Sequence, residues 1–316
     1  MNNQVQYIEK KNISKHGLHV GSALLLSLGI QYALVFVLII VLLLIGYSQN
    51  EMNSFLTDTY SGYLVNTIIC AVFCTFPFLI LKRINKKEIH EICSFNSTKV
   101  DLTVKCVLFI FGASMLANII TSVFNEILYV FFDFQTTMPT IGDTTFDDPM
   151  EFLYTVVCSA ILPALVEEFA FRGMILGTLR KFGDIPAVIV SALLFGLLHG
   201  NFIQIPFAFL IGIALGLVTV ITNSIWPAII GHFVNNFYAV VVNSVAENHP
   251  VLSMMAFYLI IVIGIVSLIK LIREGNFRRI NKQPSSLSGA SKFFRMICSP
   301  TVIIYIVFML ITAFLN

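Results

Sequence analysis

Nine runs of apolar residues divide this chain, and they leave few ways for it to fold. The runs cover 21–47, 63–81, 104–124, 152–179, 186–198, 205–221, 225–242, 251–269 and 301–315. A membrane-spanning helix needs about 20 mostly apolar residues, with a range of about 17–25. Most of the runs meet that length, while the fifth and the last are short. Only 11% of the 316 residues are charged, and the mean hydropathy is +0.89. Water-soluble domains carry about 25% charged residues, so a soluble enzyme or a nucleic-acid-binding domain is excluded. The expected fold is all-α, a polytopic transmembrane bundle of eight or nine spans. The first run is too long for a signal-peptide core and is expected to stay as a helix. Cys70, Cys74, Cys106 and Cys158 lie in or beside apolar runs. They read as small buried hydrophobes, not as a disulfide framework.

The charges fix an orientation. If the loops alternate in side, all 19 Lys and Arg residues fall on one side with the N-terminus. The opposite loops carry Glu51, Asp58, Glu126, Asp133, Asp143, Asp147, Asp148, Glu151 and Glu247, and no base. Basic loops stay in the cytoplasm, which predicts a cytoplasmic N-terminus and an external C-terminus. The basic loops read first as topology determinants, and 283–290 reads as a polar cytoplasmic linker before the last helix. No internal repeat or soluble domain is evident. Three regions are expected: N-terminal spans at 1–150, a core at 151–245, and C-terminal spans at 246–316.

Charged and polar groups inside the runs are the exceptions that point to chemistry. Glu167, Glu168 and Arg172 lie in the fourth run. A charge at membrane depth costs about 2.5–3.5 kcal/mol on insertion scales. Glu168 and Arg172 are four residues apart and can pair on one helical face. Glu167 is turned by about 100° and needs another partner, or serves as a general base. A charge network that merely locks helices together is the competing reading. His199 ends the fifth run, and a lone buried histidine is more often structural than catalytic. His232 and Asn236 stack on one face of the seventh run. Such a pair suits an oxyanion or interhelical hydrogen bonding, and Asn235 points elsewhere. Glu167 and His232 fall at similar depths. His199 falls near the outer end of its run, so a short or displaced fifth helix would be needed to join them. Glu167, His199 and His232 also make a conceivable His₂Glu zinc set, although no His-Glu-x-x-His helix is present.

Three motifs in order, Glu167-Glu168-Phe169-Ala170-Phe171-Arg172, Phe195-x-x-x-His199 and His232-x-x-x-Asn236, resemble the CPBP family. These are the CAAX-processing and bacteriocin-processing intramembrane proteases, also called the Abi family. The lead-in from Ser224 to His232 is similar as well, and the resemblance covers about 151–243. It implies an endopeptidase with an intramembrane catalytic cavity. Glu167 and His199 would activate a water, His232 and Asn236 would hold the oxyanion, and Glu168 and Arg172 would orient or support. No cofactor is expected, with zinc the alternative. The expected partners are membrane lipid and a peptide or lipidated protein tail, with no nucleic acid. The rival reading is a non-catalytic bacteriocin self-immunity or scaffold protein. A secondary transporter lacks its usual paired broken helices. The absence of organelle signals favours a bacterial plasma membrane.

The charge partition makes a direct prediction. Cysteines placed at Lys86 and Asp143 should react with an impermeant thiol reagent from opposite sides of the membrane. Labelling of both from one side would overturn the topology.

Overall fold

The computed structural model describes residues 3–57, 59–134, 148–246, 248–281, 285 and 287–315. Asp58, Pro139, Asp143, Asp147, Glu247 and Lys282, with part of the 283–290 linker, lie outside these residues. All nine apolar runs are helical. The main helices are α1 (Asn3–Ile45), α2 (Gln49–Thr57), α3 (Thr59–Thr75), α4 (Leu79–Asn85), α5 (Ile89–Ile92) and α6 (Val100–Phe132). Then come α7 (Pro149–Phe182), α8 (Asp184–Leu198), α9 (Gln204–Thr222) and α10 (Trp226–Val245). The chain ends with α11 (Pro250–Arg273), α12 (Gly289–Ile297) and α13 (Pro300–Leu315). Among the described residues there is no strand, only an isolated bridge between Phe95 and Ser224.

Among the described residues, six helices are long and apolar enough to cross a membrane, and a seventh arises if α12 and α13 count as one bent span. The count of eight or nine is therefore only partly met. The shortfall lies in the fifth, seventh and last runs, the seventh giving only the shorter apolar helix Trp226–Val242. The fifth became α8, 15 residues long, or about 22 Å at 1.5 Å per residue. That is less than the ~30 Å hydrocarbon core. The last became α13, 16 residues long and bent by 73° from α12. At the other extreme, α1 has 43 residues. Its polar first turns continue the helix well past the apolar stretch.

Polar loops gather at two ends. At one end Lys181 Nζ lies 2.7 Å from His16 Nε2 and donates to Asn85 Oδ1 at 3.2 Å. Arg180 donates to Asn223 Oδ1 at 2.9 Å, and the Asn281 N–H to Asp184 Oδ2 at 2.8 Å. Five segments that carry or adjoin the basic loops thus meet. At the other end Tyr60 donates to Asp148 at 3.0 Å, and Tyr154 to the Tyr60 carbonyl at 2.6 Å. Both Asp184, at the start of α8, and Asn223, at the end of α9, sit at the basic end. The α8–α9 hairpin enters and leaves there, so its depth does not change the parity of the other spans.

Helix α6 is the central post, packed on α9, α10 and α11, while α7 packs between α3, α8 and α10. The outward faces of α11 and α13 stay apolar and exposed, as at Leu252, Leu259, Val262, Ile304 and Ile311. Such belts face lipid. Between helices in lipid, close contact depends on small residues. A Cβ added to Gly112 would stand 2.5 Å from the Gly264 Cα, so α6 and α11 touch backbone to backbone. Gly112→Leu should therefore lower stability by about 1–3 kcal/mol, read as a lower unfolding midpoint in detergent. An unchanged midpoint would show that the crossing is not close.

Candidate active site

The fourth run is not a plain α-helix. Within α7, residues Val156–Ile161 and Phe169–Leu176 form π turns on either side of the α-helical Leu162–Glu168. Such π segments mark functional sites more often than chance. Pro163 supplies a cause, since it lacks the N–H that carbonyls four and five residues earlier would receive. Two outside groups serve those carbonyls instead. Thr67 Oγ1 donates to the Cys158 carbonyl at 3.4 Å, and Asn236 Nδ2 to the Ser159 carbonyl at 3.3 Å. The Pro163 position in the sequence carried this signal, and it places Asn236 against α7.

The two glutamates divide. Glu168 is fully buried, and its Oε1 lies 2.6 Å from Arg172 Nη1 and 2.9 Å from His232 Nδ1. Arg172 runs on to the Gly212 carbonyl at 3.4 Å, and its guanidinium sits 4.2 Å from the centre of the Phe195 ring. Gly212 leaves room for this, because a Cβ there would stand 3.3 Å from Arg172 Nη2. Cation–π contact of this kind strengthens out of water. Phe195 is also edge-on to both His199 and His232, with centroids 5.1 and 5.9 Å away. The ring thus holds both histidines and the arginine around one centre.

Glu167 turns the other way. It lines a cavity of about 410 Å³ together with His199. His232 Nε2 lies 4.0 Å from Glu167 Oε2. Glu167, His199 and His232 therefore converge. The shortness of α8 resolves the depth conflict, because the helix ends at His199 partway through the apolar layer. Asn236 stands across from α7 on its bond to Ser159, and Asn235 donates to Asn236 Oδ1 at 3.1 Å. Asn235 thereby fixes which way the neighbouring amide points. Gln31, Asn66 and Gln204 also line the cavity. Each is a lone amide in or beside an apolar run, the sequence signal by which they could have been found. Cys70 and Cys158 line it too, so these two are more than core packing.

As placed, Glu167, His199 and His232 do not form a ready-made zinc ligand set. Two ligands on one zinc at about 2.0–2.2 Å stand about 3.4 Å apart in tetrahedral geometry, closer than His232 and Glu167. Among the described residues no three His, Cys, Asp or Glu side chains form a group that could hold a metal ion.

The division between the carboxylates is testable. Removing one member of a buried ion pair costs about 3–5 kcal/mol. Glu168→Ala should lower the unfolding midpoint by that order, and Glu167→Ala should leave it nearly unchanged. Equal effects would show that both carboxylates are structural.

Residues 149–238 match the family model described as type II CAAX prenyl endopeptidase Rce1-like. No curated protein and no solved structure matches the chain. The matched stretch contains Glu167, Glu168, Arg172, His199, His232 and Asn236. The match agrees with the CPBP resemblance read from the three motifs, over residues 149–238 of the chain.

Proposed function

We propose that the protein is a multi-pass intramembrane endopeptidase of the CAAX-processing type, with Glu167 as its general base. The observation that carries this reading is the convergence of Glu167 and His199 in one polar-lined cavity within the apolar layer. Glu167 and His199 bind a water, and Glu167 takes its proton as the water attacks the scissile carbonyl. The proton then passes to the departing amine. His232 Nε2 and an Asn236 N–H meet the oxygen of the tetrahedral intermediate. The Asn236 amide has two N–H groups, and only one serves Ser159. His232 Nε2 can donate when the ring carries both protons. Glu168, Arg172 and Asn235 position these groups. No metal enters the mechanism.

The gathering of basic loops at one end supports a cytoplasmic N-terminus. The substrate is a peptide or protein tail that reaches the cavity from within or beside the bilayer.

Purified protein in nanodiscs, tested on a fluorogenic peptide library, checks this. Wild type should cleave with and without a strong chelator, and Glu167→Ala should abolish cleavage. His232→Ala and Asn236→Ala should each lower kcat by about 10²–10³, with KM little changed. Wild-type rates in Glu167→Ala would overturn the proposal. Loss of wild-type cleavage in chelator would replace the metal-free mechanism.

A further inference from the structure

One cavity takes no part in the site above. It lies at the basic end, between the first turn of α8 and α12, with a volume of about 610 Å³. Its walls are largely apolar, with Ile185, Pro186, Ile189, Leu287 and Phe293. One cation is set among them. Lys292 is only 5% exposed and lines the cavity. Its Nζ lies 3.9 Å from where a Cβ would stand on Gly183, on the far wall. Among the described residues this ammonium has no hydrogen-bond or ion-pair partner. Asp184 lines the same cavity, but its oxygens are engaged by Arg180 Nε at 3.1 Å and by the Asn281 N–H at 2.8 Å.

The side chain is covered along its length while its unpartnered ammonium opens to the cavity, and an anion there would pair with it. The start of α12 adds to the attraction. Ser288 caps the Ser291 N–H, while Gly289 and Ala290 border the cavity at the helix N-terminus, where partial positive charge favours anions. A second, open cavity shares Ile185 and Asn281 with the first and brings Arg278 and Arg279 to its edge. The orientation of α12 completes the case. It is bent 73° from α13, and Phe294 is 57% exposed, as suits a short helix lying in a membrane interface. A free inorganic anion would use Lys292 but not the apolar walls. An amphiphile with one anionic head uses both, and basic pockets between helices take such headgroups.

We propose that this cavity binds an anionic phospholipid from the leaflet at the basic end. Its phosphate sits on Lys292 Nζ, and an acyl chain runs along Ile185, Ile189 and Phe293. The site stands apart from the catalytic cavity and does not depend on the protease reading.

Native mass spectrometry of the full-length protein, taken from equimolar phosphatidylglycerol and phosphatidylcholine, tests this. Wild type should retain phosphatidylglycerol over phosphatidylcholine by about fivefold, the worth of one well-placed lysine near a membrane. Lys292→Gln should lose the preference, and Lys292→Arg should keep it. Ile189→Trp fills the slot, keeps the charge, and should reduce retention of phosphatidylglycerol. Equal retention of the two lipids by wild type would overturn the proposal, as would an unchanged preference in Lys292→Gln. If glycerol phosphate raised the unfolding midpoint as much as phosphatidylglycerol does, the site would belong to a free anion and the lipid assignment would fail.

Discussion

A single carboxylate oxygen ties this bundle together. Glu168 Oε1 faces both Arg172 and His232, so α7 is fastened to α10 at a point shut off from solvent. Arg172 extends the tie to the Gly212 carbonyl of α9 and to the Phe195 ring of α8. Four helices therefore meet around one polar cluster. The hydrophobic effect cannot choose between packings of apolar helices in lipid, since the tails are as apolar as the side chains. The Glu168–Arg172 pair lies within α7, and its further bonds, to His232 of α10 and to the Gly212 carbonyl of α9, are what favour one set of neighbours. Glu168 and Arg172 thus set which helices stand beside which, and Glu167 is left to face the cavity.

The second determinant is a missing hydrogen. Pro163 withholds an N–H from the preceding turn, and the carbonyls so released are met by Thr67 of α3 and Asn236 of α10. A defect in one helix becomes two links to its neighbours. In lipid every backbone polar group needs an internal partner, which gives these bonds more consequence than they would have in water.

Much of this was legible in the sequence, because helical periodicity is simple. The spacing of Glu168 and Arg172 foretold that they could share a face, and the offset of Glu167 foretold that it would not. The charge partition foretold which loops would gather at one end. What stayed hidden depended on departures from regular geometry. Counting α8 as a full span put His199 at the wrong depth, because length alone does not say where a hairpin stops. The π turns leave no mark on hydropathy. The roles of Phe195 and Asn235 follow from contacts across helices, which no local pattern reports. The unpartnered state of Lys292 was equally out of reach, since a lysine in a basic loop reads as an ordinary topology signal.

The turn after α8 has a consequence of its own. It stops within the apolar layer, yet it supplies its own partners. The amides of His199 and Gly200 bond back to the Gly196 and Leu197 carbonyls. Asn201 Oδ1 accepts from the N–H groups of Ile203 and Gln204 at 2.8 and 3.3 Å. Gly200 takes a φ of +57° that other residues rarely adopt. Connections between helices usually tolerate added length. One more residue between Asn201 and Ile203 would carry Asn201 away from both amides and strand them in hydrocarbon. The chain reverses here by a fitted joint of fixed length, as unforgiving of insertion as a core helix.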